Sequence, residues 1–174
     1  MAKLAKIEKL LKSKNISYKL IDLSGEVFTV DGVKNLGVAE EEIVKTLIIR
    51  TSKMISRNRT KNLLSLKNGH FVALALRGSD RVDFKKVRRL FGPSTSLRVN
   101  CELAKPEEVE KIVGVPVGAV CPVAIEIPIY FDKKVMDLKH VNMGSGDLTC
   151  GLEMDFEDLL AAVGNYQIED LVVG

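Results

Sequence analysis

Apolar residues in the first fifteen positions recur at Leu4, Ile7, Leu10 and Leu11, with lysines between them, which is one face of a helix ending near Asn15. The alternation in "YKLID" (18–22) then predicts a short strand. "FTVDGVKNLGV" (28–38) reads as a helix opened by Thr29 and stopped by Gly37. "AEEEIV" adds a helical turn, and "KTLIIRT" (45–51) is β-branched enough for a buried strand. "NLLSL" and "FVALAL" flank "KNGH", whose Asn68-Gly69 pair is a strong two-residue hairpin signal. "DFKKVRRLFG" has the form of a helix capped by Asp83 and ended at Gly92; "SLRV" (96–99) reads as a strand. "KPEEVEKIVG" places Pro106 in a first helical turn and Gly114 at its stop.

Downstream, "IPIYFDKKV" is a strand in which Pro128 predicts an edge position or a bulge. "VNMGSGDLTCGLEMD" (141–155) reads as strand, glycine loop, strand; "FEDLLAAVG" closes with a helix and "QIEDLVV" with a last strand. No repeat or linker interrupts the pattern. The expectation is an α+β fold over residues 1–174 as one domain, with a mixed, mostly antiparallel, barrel-like sheet and surrounding helices.

Composition narrows the picture. With 174 residues, 46% of them hydrophobic, the chain is long enough for a substantial core. No apolar run approaches the ~20 residues of a membrane span, and the N-terminal helix lacks the continuous apolar core of a signal peptide. A soluble, cytoplasmic protein without membrane contact is expected. Cys101, Cys121 and Cys150 are widely spaced, and His70 and His140 stand alone, so neither a disulfide framework nor a metal site is expected.

The net charge of +3 hides an asymmetry. Residues 50–98 hold thirteen Lys/Arg against two Asp/Glu (+11), and the remainder thirteen against twenty-one (−8). Such a block suits a phosphate backbone, and it is equally consistent with a solvated hairpin and helix face.

Three short stretches could carry chemistry. Lys45 stands where a helical turn meets a strand; it either snorkels to solvent or points into a cleft as an anion ligand. Gly144-Ser145-Gly146-Asp147 could present backbone N–H groups to a ligand, or be a plain hairpin turn; no helix follows it, which excludes a P-loop or dinucleotide fingerprint. In "GAVCPVAI" (118–125) the thiol of Cys121 has no base beside it in sequence, which favours a pocket-lining cysteine over a nucleophile.

In order along the chain stand a junction lysine in "VKTL", a "DFKKV" helix, the Val113-Gly114 step, a Gly-x-x-x-Pro loop from Gly118 to Pro122, a strand ending "FDKKV", and a late glycine segment. This order resembles the YbaK/ProX superfamily of aminoacyl-tRNA editing domains, which includes free-standing deacylases and the insertion domain of bacterial prolyl-tRNA synthetases. The resemblance runs from about Tyr18 to Val173, with "FTVDGVKNLGVAEEEIVKTLIIR" its most family-like stretch. The chain departs from the family pattern in having no histidine before Phe28-Thr29-Val30, Val113 in place of threonine, and Val123 in place of a second proline.

The resemblance implies a metal-independent, cofactor-free hydrolase of the carboxylic ester on a mischarged tRNA, acting in trans. Its implied substrate is tRNA(Pro) carrying a small amino acid such as alanine or cysteine. It implies Lys45 and Gly118 as catalytic, and Thr29, Val30, Ala119, Val120, Cys121, Pro122, Gly144, Ser145, Gly146 and Asp147 around the aminoacyl end. Arg57, Arg59, Lys61, Lys85, Lys86, Arg88 and Arg89 become candidates for the tRNA backbone at the acceptor end. An aminoacyl-tRNA synthetase is a further implied partner; DNA is not. The departures leave open a non-catalytic module of the same fold that binds tRNA or a synthetase.

Overall fold

The computed structural model describes residues 2–27, 29–52, 71–92 and 99–174. The expected "NLLSL" strand and Asn68-Gly69 turn, most of "SLRV", and Arg57, Arg59, Lys61 and His70 lie outside the described residues.

The helices begin and end where their caps dictate. α1 (Ala2–Ser13) buries Ile7 and Leu11 completely, and each such side chain is worth roughly 1.5–3 kcal/mol. α2 (Val30–Lys34) starts at Thr29, whose hydroxyl accepts from Gly32 N; it is shorter than the pattern suggests, and the chain turns at Gly37 with φ +87°. α3 (Phe84–Phe91) starts on Asp83, whose carboxylate accepts from Lys85 N and Lys86 N. α4 (Pro106–Val113) carries Pro106 in its first turn and ends at Gly114 in the left-handed region, φ +79°. α5 is Phe156–Val163.

The strands are β1 (Lys19–Asp22), β2 (Ile43–Thr51), β3 (Phe71–Arg77), β4 (Cys101–Leu103), β5 (Ile129–Asp132), β6 (His140–Asp147), β7 (Cys150–Asp155) and β8 (Gln167–Glu169). They form one mixed sheet in the order β1-β7-β6-β2-β3-β5-β8, with β4 also paired to β2. The β1–β7, β2–β3, β2–β4 and β6–β7 pairs are antiparallel; β2–β6, β3–β5 and β5–β8 are parallel.

Alternation along the central strands divides the apolar residues between two cores. Val44, Ile48, Ala73, Ala75, Ile129 and Phe131 join the larger one, with α1, α4, α5 and the 115–127 segment. Ile49, Val72, Leu74, Leu76 and Tyr130 join the smaller one, beneath α3 and the C-terminal Leu171 and Val172. Among the described residues no helix is long and apolar enough to cross a membrane.

Two expectations are corrected. Pro128 does not mark an edge: β5 lies between β3 and β8, with all four residues buried. Proline is tolerated because the strand begins one residue later, and Pro128 contributes only its carbonyl, which accepts from Ala73 N at 2.8 Å. The 144–147 segment is not a loop between strands. It lies inside β6, where the pairing with β7 jumps between Gly144 and Asp147 as a bulge, and the turn comes at Leu148-Thr149.

Candidate functional site

The site exists because β2 and β6 part company. Their parallel pairing covers Ile43–Asn142 and Val44–Met143 and stops there. β4 takes up the same edge of β2 at Ile49. Between these points β2 has β3 on one side and a gap on the other. The gap is filled by a cavity of about 170 Å³ bordered by Lys45, Thr46, Leu47, Gly118, Val120 and Asn142, with aliphatic side chains from β1, α2 and β6. Lys45 and Thr46 are neighbours that leave a strand on opposite sides, and both border the cavity where the edge of β2 away from β3 has no paired strand among the described residues.

Lys45 Nζ donates to Gly78 O at 2.9 Å and to Asp80 O. Both acceptors are neutral carbonyls. The nearby Asp80 carboxylate is engaged by Arg77, with Nε to Oδ2 at 2.9 Å. The ammonium is thus held in place without being neutralised, and one of its three N–H donors stays available. Half-burial pushes its pKa below the ordinary 10.5, partly offset by the Asp80 charge. Gly78 suits this anchor: a Cβ there would come within 3.0 Å of Val30 Cγ1 and 3.1 Å of Ile43 Cβ.

The 118–122 loop is pinned by β6. A Cβ on Gly144 would stand 2.7 Å from Val120 O and 2.9 Å from Ala119 C, so only glycine allows this approach. Gly146 N donates to Ala119 O at 2.8 Å, and Ala119 N to Pro116 O at 3.1 Å. Both backbone groups of Ala119 are therefore consumed internally. Gly118 and Val120 border the cavity, and their N–H groups have no partner among the described residues. Gly118 adopts φ +95°, a conformation that favours glycine.

Of the expected site residues, the cavity gathers Thr29, Val30, Lys45, Gly118, Val120, Gly144 and Asp147. Ala119, Cys121, Pro122, Ser145 and Gly146 are buried behind it and do not line it. Ser145 Oγ donates to Cys150 O at 2.5 Å and Gly146 packs against Lys3 and Leu4, so both hold the bulge. Burial raises the Cys121 thiol to about 12, despite a backbone hydrogen bond at Val123 and the charge of Lys3, and leaves it protonated at neutral pH. His140 is no base for it: its ring is held by Glu153 Oε1 at 2.8 Å and Asp155 Oδ1 at 3.1 Å. Asp147 accepts from Thr149 N at 2.8 Å and Thr149 Oγ1 at 2.7 Å, which lowers its pKa below the ordinary 3.8.

Sequence reasoning did not single out Thr46 or Asn142, which also line the cavity, whereas Cys150, read like Cys121 as pocket-lining more than catalytic, borders it. Asn142 carried a signal: a lone amide in the apolar run of β6, at a position only 6% exposed.

The charged block divides on inspection. Arg50 pairs with Glu102 and Glu108, Arg77 with Asp80, and Lys86 with Asp170 at 2.7 Å while also donating to Val172 O. Lys85, Arg88 and Arg89 on α3 are exposed and have no ion pair among the described residues.

Comparison with known proteins gives this geometry a family. The model of the aminoacyl-tRNA editing domain matches residues 26–162. The chain belongs to the aminoacyl-tRNA editing domain family. It is 35% identical over 106 residues to a proline–tRNA ligase of Caldicellulosiruptor saccharolyticus, and 25% identical over 138 residues to one of Sulfurihydrogenibium sp.. These matches take in 60% and 76% of this chain but 17% and 21% of the ligases, so the chain spans about a fifth or less of their length. Among solved structures it resembles a hypothetical protein at 27% identity, TM-score 0.75, covering 97% of this chain and 99% of the other. It also shares the fold of a candidate trans-editing enzyme for prolyl-tRNA synthetase, at 22% identity and TM-score 0.75, covering 100% and 99%. The editing-domain fold expected from the order of motifs is thus the fold observed.

Proposed function

We propose that this editing domain hydrolyses, in trans, the ester between a mischarged amino acid and the 3′ end of a tRNA, with tRNA(Pro) as the first candidate. The observation that carries this reading is the un-neutralised ammonium of Lys45 on the same cavity wall as the unpartnered N–H groups of Gly118 and Val120. Membership of the editing family and the relation to prolyl-tRNA ligases support it.

The chemistry asks little of side chains. An aminoacyl ester is already activated, and water attack at its carbonyl moves negative charge onto the carbonyl oxygen. The Gly118 and Val120 N–H groups receive that charge, a contribution of about 2.7–4 kcal/mol per well-placed donor in other acyl-transfer enzymes. Lys45 supplies positive charge to the phosphate or aminoacyl end. The attacking water's proton is relayed through the substrate amine or the adjacent ribose hydroxyl to the departing ribose oxygen as the C–O bond breaks, giving the free amino acid and the deacylated 3′ end. Lys85, Arg88 and Arg89 hold the acceptor-stem backbone without reading its sequence. A second hydrolytic site of this kind is needed because a synthetase pocket separates residues differing by one methylene by only about 10–200-fold.

A panel of mischarged tRNAs, with Ala-tRNA(Pro) and Cys-tRNA(Pro) included, tests the proposal. Loss of ester faster than the buffer blank is expected for at least one small amino acid. Salt-sensitive tRNA binding with no turnover would make the chain a binding module instead.

A further inference from the structure

Two carboxylates act on the Lys45 ammonium, and each is held by another cation. Burial lowers the Lys45 pKa; the charges of Asp80 and Glu40 act against that shift, and Arg81 acts with it. Arg77 grips the Asp80 carboxylate with two donors, Nε to Oδ2 at 2.9 Å and Nη2 to Oδ1 at 3.3 Å. Lys34 Nζ lies 2.6 Å from Glu40 Oε2. The Arg77 pair is the more sheltered: its side chains are 31% and 13% exposed, against 37% and 33% for Lys34 and Glu40. Exposed pairs contribute little, whereas a fork-shaped guanidinium fixes a carboxylate in direction as well as distance.

The turn after β3 builds this arrangement. Gly78 N donates to Ile43 O at 2.7 Å and Asp80 N to Arg77 O at 3.1 Å, so residues 77–80 close on themselves against the start of β2. The carbonyls of Gly78 and Asp80 are thereby delivered to Lys45 Nζ. The Asp80 side chain comes close to the same ammonium that its own carbonyl binds. An ionised carboxylate is a stronger acceptor for an ammonium than either carbonyl.

Building on the editing reading, we propose that Arg77 is a positioning residue for deacylation: by occupying the Asp80 carboxylate, it keeps that carboxylate off Lys45 and leaves the ammonium to the tRNA end. Arg77 does not line the cavity and acts through Asp80 and Lys45. Without it, the carboxylate turns to the ammonium and takes the N–H donor that the two carbonyls leave available. The positive charge that a phosphate or acyl oxygen meets is then offset.

The test compares Arg77→Met, Asp80→Asn and the double variant on the mischarged-tRNA panel. Lys45 is followed separately by pH titration of its ε-carbon NMR signal, assigned with Lys45→Ala. Arg77→Met is expected to lower deacylation at least about tenfold, the effect of one charge-assisted hydrogen bond. A carboxylate moving closer favours the charged ammonium, so the Lys45 midpoint should rise by about one pH unit. Adding Asp80→Asn to Arg77→Met is expected to reverse both effects. The double variant recovers most of the lost rate, and its midpoint returns to the wild-type value or below. Were the Arg77–Asp80 tie only a brace, removing its second partner would recover nothing. No recovery in the double variant, or a midpoint unmoved by Arg77→Met, would overturn the assignment. Should Arg77→Met fail to fold, Arg77→Lys carries the same comparison with the same signs expected, because one ammonium does not reproduce the two-pronged grip.

The titration needs no turnover, which separates this proposal from the editing reading. If wild type cleaves no ester while the midpoint moves as stated, hydrolysis falls and the guarding of Lys45 stands. If ester is cleaved and the midpoint stays, the Arg77 assignment alone falls.

Discussion

Lys45 and Lys86 are both half-buried lysines that donate to backbone carbonyls, and they have opposite fates. Lys45 meets Gly78 O and Asp80 O, with the adjacent carboxylate engaged by Arg77. Lys86 meets Val172 O and the Asp170 carboxylate, which Lys133 also reaches at 3.2 Å. The first has no carboxylate ion pair among the described residues; the second ties α3 to the C-terminal segment. A high count of lysines and arginines therefore overstates the positive surface among the described residues.

The comparison breaks most sharply at Lys45. Lys45→Ala is expected to lower deacylation by about 10²–10³-fold, while loss of its two hydrogen bonds costs about 1–3 kcal/mol of stability. Lys86→Ala should do the reverse, with little change in rate and a measurable drop in melting temperature. Rates and thermal melts on the two variants check both. If the effects are interchanged, the anchors do not decide the roles.

Gly144→Ala is the next largest. Its Cβ would meet the Val120 and Ala119 backbone at 2.7–3.0 Å, so the 118–122 loop must shift. A loss of about 1–3 kcal/mol is expected, with turnover reduced because Gly118 and Val120 move with the loop. A crystal structure or a melt paired with kinetics would show it.

On α3, replacing Lys85, Arg88 and Arg89 together by glutamine should lower the salt dependence of tRNA binding. The log–log slope should fall by about one unit for each phosphate that is no longer neutralised. Melting should be unaffected, since none of the three is ion-paired among the described residues. An unchanged slope would return this face to ordinary solvent.

Cys121→Ala sharpens the account by doing little. The thiol is buried, raised to about 12 and absent from the cavity wall, so turnover should stay within about threefold of wild type despite a small cavity cost. The smallest effect belongs to His140, whose pKa is raised above 6.5 by hydrogen bonds to Glu153 and Asp155. Its stabilisation is complete below the unfolded value and fades as pH rises through the folded one. His140→Gln should flatten that part of the melting-temperature profile.

Caps and stops were legible because they are local: Thr29, Asp83, Pro106 and Gly114 each act on backbone within a few residues. The family was legible from the order of its motifs. What could not be read was non-local. The bulge that places Gly144–Asp147 inside β6 depends on Ala119 and Val120, some 25 residues upstream. Pro128 misled because its missing N–H matters only within a ladder, and β5 starts after it. The cavity depends on where the β2–β6 pairing stops, which no alternation pattern reveals. Asn142 and Thr46 were therefore not singled out, because along the chain they have no pocket to belong to.

Hydrolysis of a mischarged tRNA is the activity proposed for the cavity that Lys45 borders. The direct measurement is loss of labelled ester from a small-amino-acid tRNA(Pro) panel with wild type, Lys45→Ala and Cys121→Ala side by side. Turnover is expected for wild type and Cys121→Ala, with near-background rates for Lys45→Ala. Turnover that survives Lys45→Ala and vanishes in Cys121→Ala, or tRNA bound by all three with no ester hydrolysed, would contradict it.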